Sequence, residues 1–260
     1  MTKTASSLSS VERQETIVKL IEQRNRMTVA QISEELGVSV ATARRDLDEL
    51  AARSRVERVH GGAIPARFAP PEPPAVHRLV DRAAEKRRIG VAAAALVREG
   101  ETIFLGSGTT TLEVARQIRA RRGLTVVTNS LHVITVLADS ADIALICLGG
   151  LLRRSEMSLI GHMTEAALGD VRANKVFLGV RGIDLEHGLT NAYLPETEVD
   201  RLMVRAGREA IVVADHTKCG QVAAGFVAPL SAVHTLVTDN DAPDDFVDAL
   251  AERGVRVLRA

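Results

Sequence analysis

The placement of proline constrains this chain more than any other feature. Five of its eight prolines fall in the run Pro65-Ala66-Arg67-Phe68-Ala69-Pro70-Pro71-Glu72-Pro73-Pro74. Proline fixes φ and lacks an amide donor, so such a run forms neither a helix interior nor a central strand. It reads as an extended, semi-rigid spacer. The 260 residues therefore divide into a small domain at 1–65, a proline-rich linker at 66–76 and a larger domain at 77–260, sizes at which each domain supports its own core.

Ahead of the spacer the pattern is helical. Ser9 and Glu12 have capping-box spacing before Ile17, Val18 and Ile21. Thr28 and Gln31 repeat it before Val29, Ile32 and Leu36, and Gly37 supplies a stop. Ser39 is placed to cap a third helix with Val40, Ala43, Leu47 and Leu50 on one face. A short strand-like run from Arg55 to His60 then reaches Gly61-Gly62. Three helices and a hairpin make a winged helix-turn-helix pattern.

On a helical wheel Arg45 stands opposite the apolar stripe, between Ala41 and Thr42, with Arg44 on a flank. A recognition helix presents its N-terminal residues to base edges in the major groove. Arginine pairs bidentately with guanine, and alanine or the threonine methyl suits the thymine methyl. Ala41, Thr42 and Arg45 are thus base-edge candidates and Arg44 a phosphate candidate. The whole DNA-contacting set is Ser39, Ala41, Thr42, Arg44, Arg45, Arg55, Arg58 and His60. Net charge does not separate this reading from an ordinary solvated helix. Residues 1–65 carry ten basic and nine acidic side chains, and the chain as a whole 33 of each. Placement favours DNA, because Arg44, Arg45, Arg53, Arg55 and Arg58 all fall in the helix and wing.

Beyond the spacer, apolar runs at 102–105, 124–127, 143–148, 175–178, 210–214, 235–238 and 255–258 alternate with helical stretches at 83–97, 109–120, 131–138, 195–206 and 244–252. Such alternation predicts an α/β domain with a mostly parallel sheet. Gly106-Ser107-Gly108 joins the first run to the helix starting at Thr109. The glycines permit a tight turn and close approach, and the helix N-terminus attracts an anion. Ser107, Thr109, Thr110 and Thr111 add hydroxyls, making a cradle suited to phosphate. It has neither the Walker nor the dinucleotide glycine spacing.

Ligands of open α/β sheets sit beyond the carboxyl ends of the strands. Asn129, Gly149-Gly150, Asp215 and Lys218 all follow apolar runs. Lys218 suits the phosphate charge, and Asn129, Asp184 and Asp215 suit sugar hydroxyls. Asp215 fits a turn cap equally well, and Lys218 a solvated loop. Arg153 and Arg154 fit either the crevice or a contact between copies of the chain.

Composition narrows the setting. No apolar run approaches the ~18 residues of a membrane span, and residues 1–10 lack the apolar region of a secretory signal. Two cysteines in 260 residues point to a reducing compartment, so the protein is expected in the cytoplasm, away from membranes. The seven histidines show no metal spacing; no metal and no cofactor are expected.

Two blocks carry a family resemblance. Ser39-Val40-Ala41-Thr42-Ala43-Arg44-Arg45-Asp46-Leu47-Asp48-Glu49-Leu50, followed by Arg58-Val59-His60-Gly61-Gly62-Ala63, resembles the N-terminal domain of DeoR-family bacterial transcriptional regulators. Gly106-Ser107-Gly108-Thr109-Thr110-Thr111, Val126-Val127-Thr128-Asn129-Ser130, Leu148-Gly149-Gly150, Gly182-Ile183-Asp184 and Ala214-Asp215 with Lys218 and Gly220 are similar to blocks of that family's sensor domain. The resemblance spans nearly the whole chain. It implies a sensor fold like that of ribose-5-phosphate isomerase, used for ligand detection. Three positions depart from the pattern. Gly106 stands where many members carry Asp, Arg181 near where many carry an acidic residue, and Thr217-Lys218-Cys219-Gly220 where many carry a Ser-Lys-Phe-Gly-like block.

The expected function is a DNA-binding repressor of a sugar catabolic operon, acting as a homodimer or homotetramer on double-stranded operator DNA and released by a phosphorylated sugar. Two alternatives stand beside it. One is a sugar-phosphate isomerase-like enzyme with an accessory DNA-binding domain, for which Asp184, Glu186 and Lys218 are the available groups. The other is a sensor domain retained only for assembly.

Overall fold

The computed structural model describes residues 10–24, 26–52, 55–59, 61–65 and 73–260. Two compact units result, Met1–Pro71 and Glu72–Ala260.

The first unit contains α1 (Ser10–Arg24), β1 (Met27–Thr28), α2 (Val29–Leu36), α3 (Val40–Ala52), β2 (Val56–Val59) and β3 (Gly62–Pro65). The strands form an antiparallel sheet in the order β1-β3-β2. Local signals set the helix ends. Thr28 and Gln31 close a reciprocal capping box, with the Gln31 N–H on the Thr28 hydroxyl at 3.2 Å and the Thr28 N–H on Gln31 Oε1 at 2.8 Å. Gly37 ends α2 in the left-handed conformation, φ 60°. The Ser39 hydroxyl accepts from the Thr42 N–H at 3.0 Å, opening α3. Ser9 lies outside the described residues. Ile17, Ile21, Met27, Ile32, Ala43 and Leu47 are fully buried at the centre.

The wheel of α3 needs one correction. Val40, expected on the buried face, is 50% exposed, whereas Asp46 is buried. The buried stripe is centred on Ala43, Leu47 and Leu50, and Val40 in the first turn lies at its edge. Asp46 enters that stripe because Arg13 of α1 grips it bidentately, at 2.6 and 3.0 Å, with Gln14 Nε2 adding a third donor at 3.4 Å. A paired, hydrogen-bonded carboxylate tolerates burial.

The second unit contains α4 (Ala75–Arg78), α5 (Ala83–Ala94), β4 (Thr102–Leu105), α6 (Thr109–Ile118), β5 (Leu124–Thr128), α7 (Leu131–Leu137), β6 (Ile143–Cys147), β7 (Leu151–Arg153), β8 (Ser158–Ile160), α8 (His162–Gly169), β9 (Ala173–Leu178), β10 (Gly182–Asp184), β11 (Gly188–Asn191), α9 (Leu194–Ala206), β12 (Gly207–Val213), β13 (Gly225–Ala228), β14 (Thr235–Thr238), α10 (Asp244–Glu252) and β15 (Arg256–Arg259). Seven strands form one parallel sheet in the order β15-β14-β12-β9-β4-β5-β6. All seven apolar runs read from the sequence are these strands. Side chains alternate between two cores. Ile103, Leu105, Val126, Phe177, Ile211 and Val213 pack on the α5–α7 face. Phe104, Val127, Val176, Leu178 and Val212 pack with α8, α9 and α10.

Residues 75 and 76, read from the sequence as the end of the linker, belong instead to α4. Ala75 is buried and donates its N–H to the Ser155 carbonyl at 2.7 Å, so the chain is tied to the second unit from that point. The β7–β8 hairpin, helix α8 and the sheet β10-β11-β13 have no counterpart in the sequence pattern. Their strands are three or four residues long with polar or glycine members, below what periodicity registers.

Candidate DNA interface and effector crevice

In the first unit, Ala41, Arg44 and Arg45 are exposed on α3. Among the described residues neither arginine makes an ion pair. With burial centred on Ala43, Leu47 and Leu50, Arg45 stands close to the outward direction and Arg44 on a flank. Thr42 is half-buried and its hydroxyl meets that of Ser39 at 2.8 Å. The wing arginines are engaged. Arg58 bonds Asp48 of α3 at 3.1 Å and the Gly62 carbonyl at 3.0 Å, bracing the wing on the helix. Arg55 lies 3.9 Å from Glu15. Gly61 sits at φ 77°, and a Cβ on Gly62 would fall 2.2 Å from the Met27 carbonyl oxygen. The glycine pair is therefore required, first for the turn and then for the close approach of β3 to β1. His60 and Arg53 lie outside the described residues.

In the second unit the carboxyl ends of β4, β5, β6, β9, β12 and β14 share one edge of the parallel sheet. Gly106-Ser107-Gly108 leaves β4 there and opens α6. Gly108 has φ 122° and ψ 159°, a conformation restricted almost wholly to glycine. No side chain caps α6, so the amides of its first turn, Thr109 to Thr111, have no intrahelical acceptor. The threonine hydroxyls are less open than the sequence suggests. Thr109, Thr110 and Thr111 are all buried, and Thr111 donates to the Gly108 carbonyl at 2.9 Å. The cradle is thus chiefly backbone.

Ser107 donates to Glu196 Oε1 at 2.9 Å. Glu196, in the first turn of α9, also accepts from the Ser158 hydroxyl of β8 at 2.6 Å and pairs with Arg153 of β7. Arg153 lies under the Tyr193 ring, 4.4 Å from its centroid. Asn129, at the end of β5, is buried; its Nδ2 donates to the Leu159 carbonyl at 3.1 Å, while its Oδ1 has no partner. One turn beyond Glu196, Asp200 is buried and accepts from Asn191 at 2.5 Å. Burial, reinforced by the neighbouring Glu196, pushes the Asp200 carboxyl well above the ordinary carboxylate range.

Glu196, Ser158 and Asp200 were not singled out from the sequence. Glu196 lies 89 residues from Ser107 and 38 from Ser158, and no local pattern marks it. Arg153, left between crevice and surface, joins the crevice.

Asp184 and Asp215 are occupied elsewhere. Asp184 Oδ1 accepts from the Glu186 N–H at 2.9 Å and from the N–H and Nδ1 of His187, both at 2.8 Å, holding the β10–β11 turn. Burial raises its carboxyl, but these donors outweigh it and hold it low. Asp215 Oδ1 accepts from the Thr217 N–H at 3.1 Å and from its hydroxyl. There too burial is overcome, by Lys218, Thr217 and Arg82, and the carboxyl is held low. The turn-cap reading of Asp215 is thus realised, with Lys218 supplying countercharge. Among the described residues no hydrogen bond or ion pair joins Asp184 to the glycine loop.

His216, Asp239 and Asp241 gather their ligand-type atoms within 4.8 Å, a grouping the sequence did not suggest. Both Asp239 oxygens are committed, to the His216 N–H at 2.8 Å, His216 Nδ1 at 2.9 Å and the Asp241 N–H at 3.0 Å. Burial pushes the nearby Cys219 thiol up to about 12, which makes it a poor thiolate ligand. No helix among the described residues is long and apolar enough to cross a membrane.

Comparison with known proteins agrees with both halves. Residues 13–66 match the DeoR-like helix-turn-helix domain and residues 81–240 the DeoR C terminal sensor domain. The HTH-type transcriptional repressor GlcR of Bacillus subtilis is 34% identical, over 95% of each chain. The transcriptional repressor AccR of Agrobacterium fabrum is 33% identical, over 89% of this chain and 90% of its own. Among solved structures, ribose 5-phosphate isomerase A from Methanocaldococcus jannaschii overlaps 52% of this chain and 53% of its own, at TM-score 0.39 and 17% identity; that likeness is too slight to carry an argument. Helix-turn-helix, sensor domain and full-length relatives coincide: the chain belongs to the DeoR family of transcriptional regulators.

Proposed function

We propose that this protein represses a sugar catabolic operon, binding operator DNA through α3 and the wing and releasing it when a phosphorylated sugar enters the crevice at Gly106–Thr111. The observation that carries the effector reading is the pairing of two unlike features. Uncapped amides at the start of α6 suit a phosphate, and beside them the unpartnered Asn129 Oδ1 and the Glu196 carboxylate suit hydroxyl donors. A sugar phosphate offers both. Glu196 supplies, from α9, a carboxylate of the kind many relatives carry at the position of Gly106. A Cβ at Gly106 would stand 3.1 Å from Leu178 Cδ1 and 3.4 Å from the Phe177 carbonyl oxygen, so the carboxylate enters from another element. The enzyme reading has less support. Of its candidate groups, Asp184 holds the β10–β11 turn, Glu186 is exposed in that turn and Lys218 neutralises Asp215, while the carboxylate at the loop, Glu196, is ion-paired with Arg153.

The test is direct. Duplexes selected from a random pool on the immobilised full-length protein supply the operator, and fluorescence anisotropy follows its release. A panel of hexose and pentose phosphates should contain at least one member that releases DNA without being consumed. Release by none of them, or their isomerisation, would overturn the proposal.

A further inference from the structure

The two edges of the seven-stranded sheet are built differently. At one edge, β15 begins and ends on arginine, Arg256 and Arg259, which discourages pairing with another chain. At the other, β6 reads Ile143-Ala144-Leu145-Ile146-Cys147, with no charge, no proline and no bulge. The Leu148 N–H donates to the Thr128 carbonyl of β5 at 2.9 Å. By the two-residue alternation of a strand, Ala144 and Ile146 likewise face β5, so the backbone groups of Leu145 and Cys147 point away from the sheet. Among the described residues nothing pairs with them.

Apolar side chains continue this edge outward. Ile146 is 41% exposed and Leu151, just beyond on β7, 72%. Leu152 and Met163 are exposed as well. The Thr164 hydroxyl donates to the Gly149 carbonyl at 2.5 Å, which sets the first turn of α8, with Met163, beside the end of β6. An uncharged strand edge continuous with exposed leucine, isoleucine and methionine marks an association surface.

We infer that the β6 edge, with Leu151, Leu152 and Met163, is the surface on which a second copy of this chain docks, β6 against β6 about a two-fold axis. An open strand edge is completed by another strand, and the charged β15 edge is unsuited to it. An uncharged edge is compatible with its own copy, and a two-fold interface brings the same patch to both sides. The regulator reading, on which this inference rests, also calls for a copy: each chain supplies one recognition helix, and operators of this class are read by two. β7 carries Leu151 and Leu152 in the patch and Arg153 on Glu196 in the crevice, so the interface begins one residue from the effector site.

Sedimentation of the full-length chain tests this. Ile146→Asp and Leu151→Asp should each remove one level of assembly, dimer to monomer or tetramer to dimer, with at least tenfold weaker self-association. Arg256→Asp on the opposite edge should leave assembly unchanged. Variants that assemble like the wild type, or a wild type that is monomeric, would overturn the inference. Should the variants fail to fold, hydrogen exchange on the wild type serves instead. The Leu145 and Cys147 amides should gain protection as concentration rises through the association range, and unchanged protection would overturn the inference. Association through β6 without binding to any DNA would contradict the regulator reading and leave the interface standing.

Discussion

The two units handle charge in opposite ways. On the winged unit, Arg44 and Arg45 project from α3 without ion pairs among the described residues, and in the proposed function they take the DNA phosphates and bases as partners. In the crevice of the sensor unit, Glu196 already takes Ser107, Ser158 and Arg153. The first surface gains its partner by releasing counterions and is strongly salt-dependent. The second is internally neutralised, so a ligand there exchanges one set of hydrogen bonds for another and responds little to salt.

The sharpest way to break that contrast is Glu196→Ala. It leaves the half-buried Arg153 guanidinium without its carboxylate, and removing one member of a fully buried ion pair costs about 3–5 kcal/mol, an upper bound for this pair. Calorimetry should show the sensor transition falling by about 2 kcal/mol or more while the winged unit's transition stays in place. A loss under about 1 kcal/mol would mean that water reaches the pair freely.

Next in size is the DNA face. Arg45→Ala should cost about 1–3 kcal/mol on the preferred duplex and flatten its base preference. Arg44→Ala should weaken all duplexes alike and reduce the salt slope by about one. Because Arg45 points outward and Arg44 lies on a flank of α3, the same gel-shift series tests which of them reads bases. A reversed pattern would exchange their roles.

A subtler contrast is in pH. The raised Asp200 carboxyl holds its proton in the folded state at pH values where the unfolded chain, titrating near ~3.9, has lost it. Above that pH the folded state binds more protons, so stability falls as pH rises toward the folded value. Asp200→Asn should remove this slope, and parallel pH profiles of melting temperature for wild type and variant would contradict the assignment. Smallest is Arg58→Ala. Its partly exposed link to Asp48 should contribute at most about 1 kcal/mol to stability, with a modest, sequence-independent loss of DNA affinity measured at low salt.

The same division governs what the sequence made legible. Thr28–Gln31, Gly37, Ser39 and the Gly61-Gly62 turn act within a few residues of themselves, so the winged unit could be read directly, Val40 excepted. The parallel strands were visible because each carries an apolar run, buried in the central strands and partly exposed in β6 and β15. The crevice was half visible. Gly106–Thr111 is a local signal, whereas Glu196 and Ser158 reach it only through folding, from elements far along the chain. In sequence, Asp184 and Asp215 resemble ligand groups because a carboxylate after a strand looks the same whether it binds a sugar or holds a turn; hydrogen-bond partners separate the two.

The most direct test of the account uses Gly108→Val. At φ 122° a β-branched residue is strained, and its side chain would crowd the amide cradle. Operator-bound wild type and variant are titrated with the releasing sugar phosphate and, separately, with the same sugar unphosphorylated. The account predicts release of the wild type by the phosphate alone, and a variant that binds operator normally but does not respond. Normal release of Gly108→Val by the sugar phosphate, or release of the wild type by the unphosphorylated sugar, would contradict it.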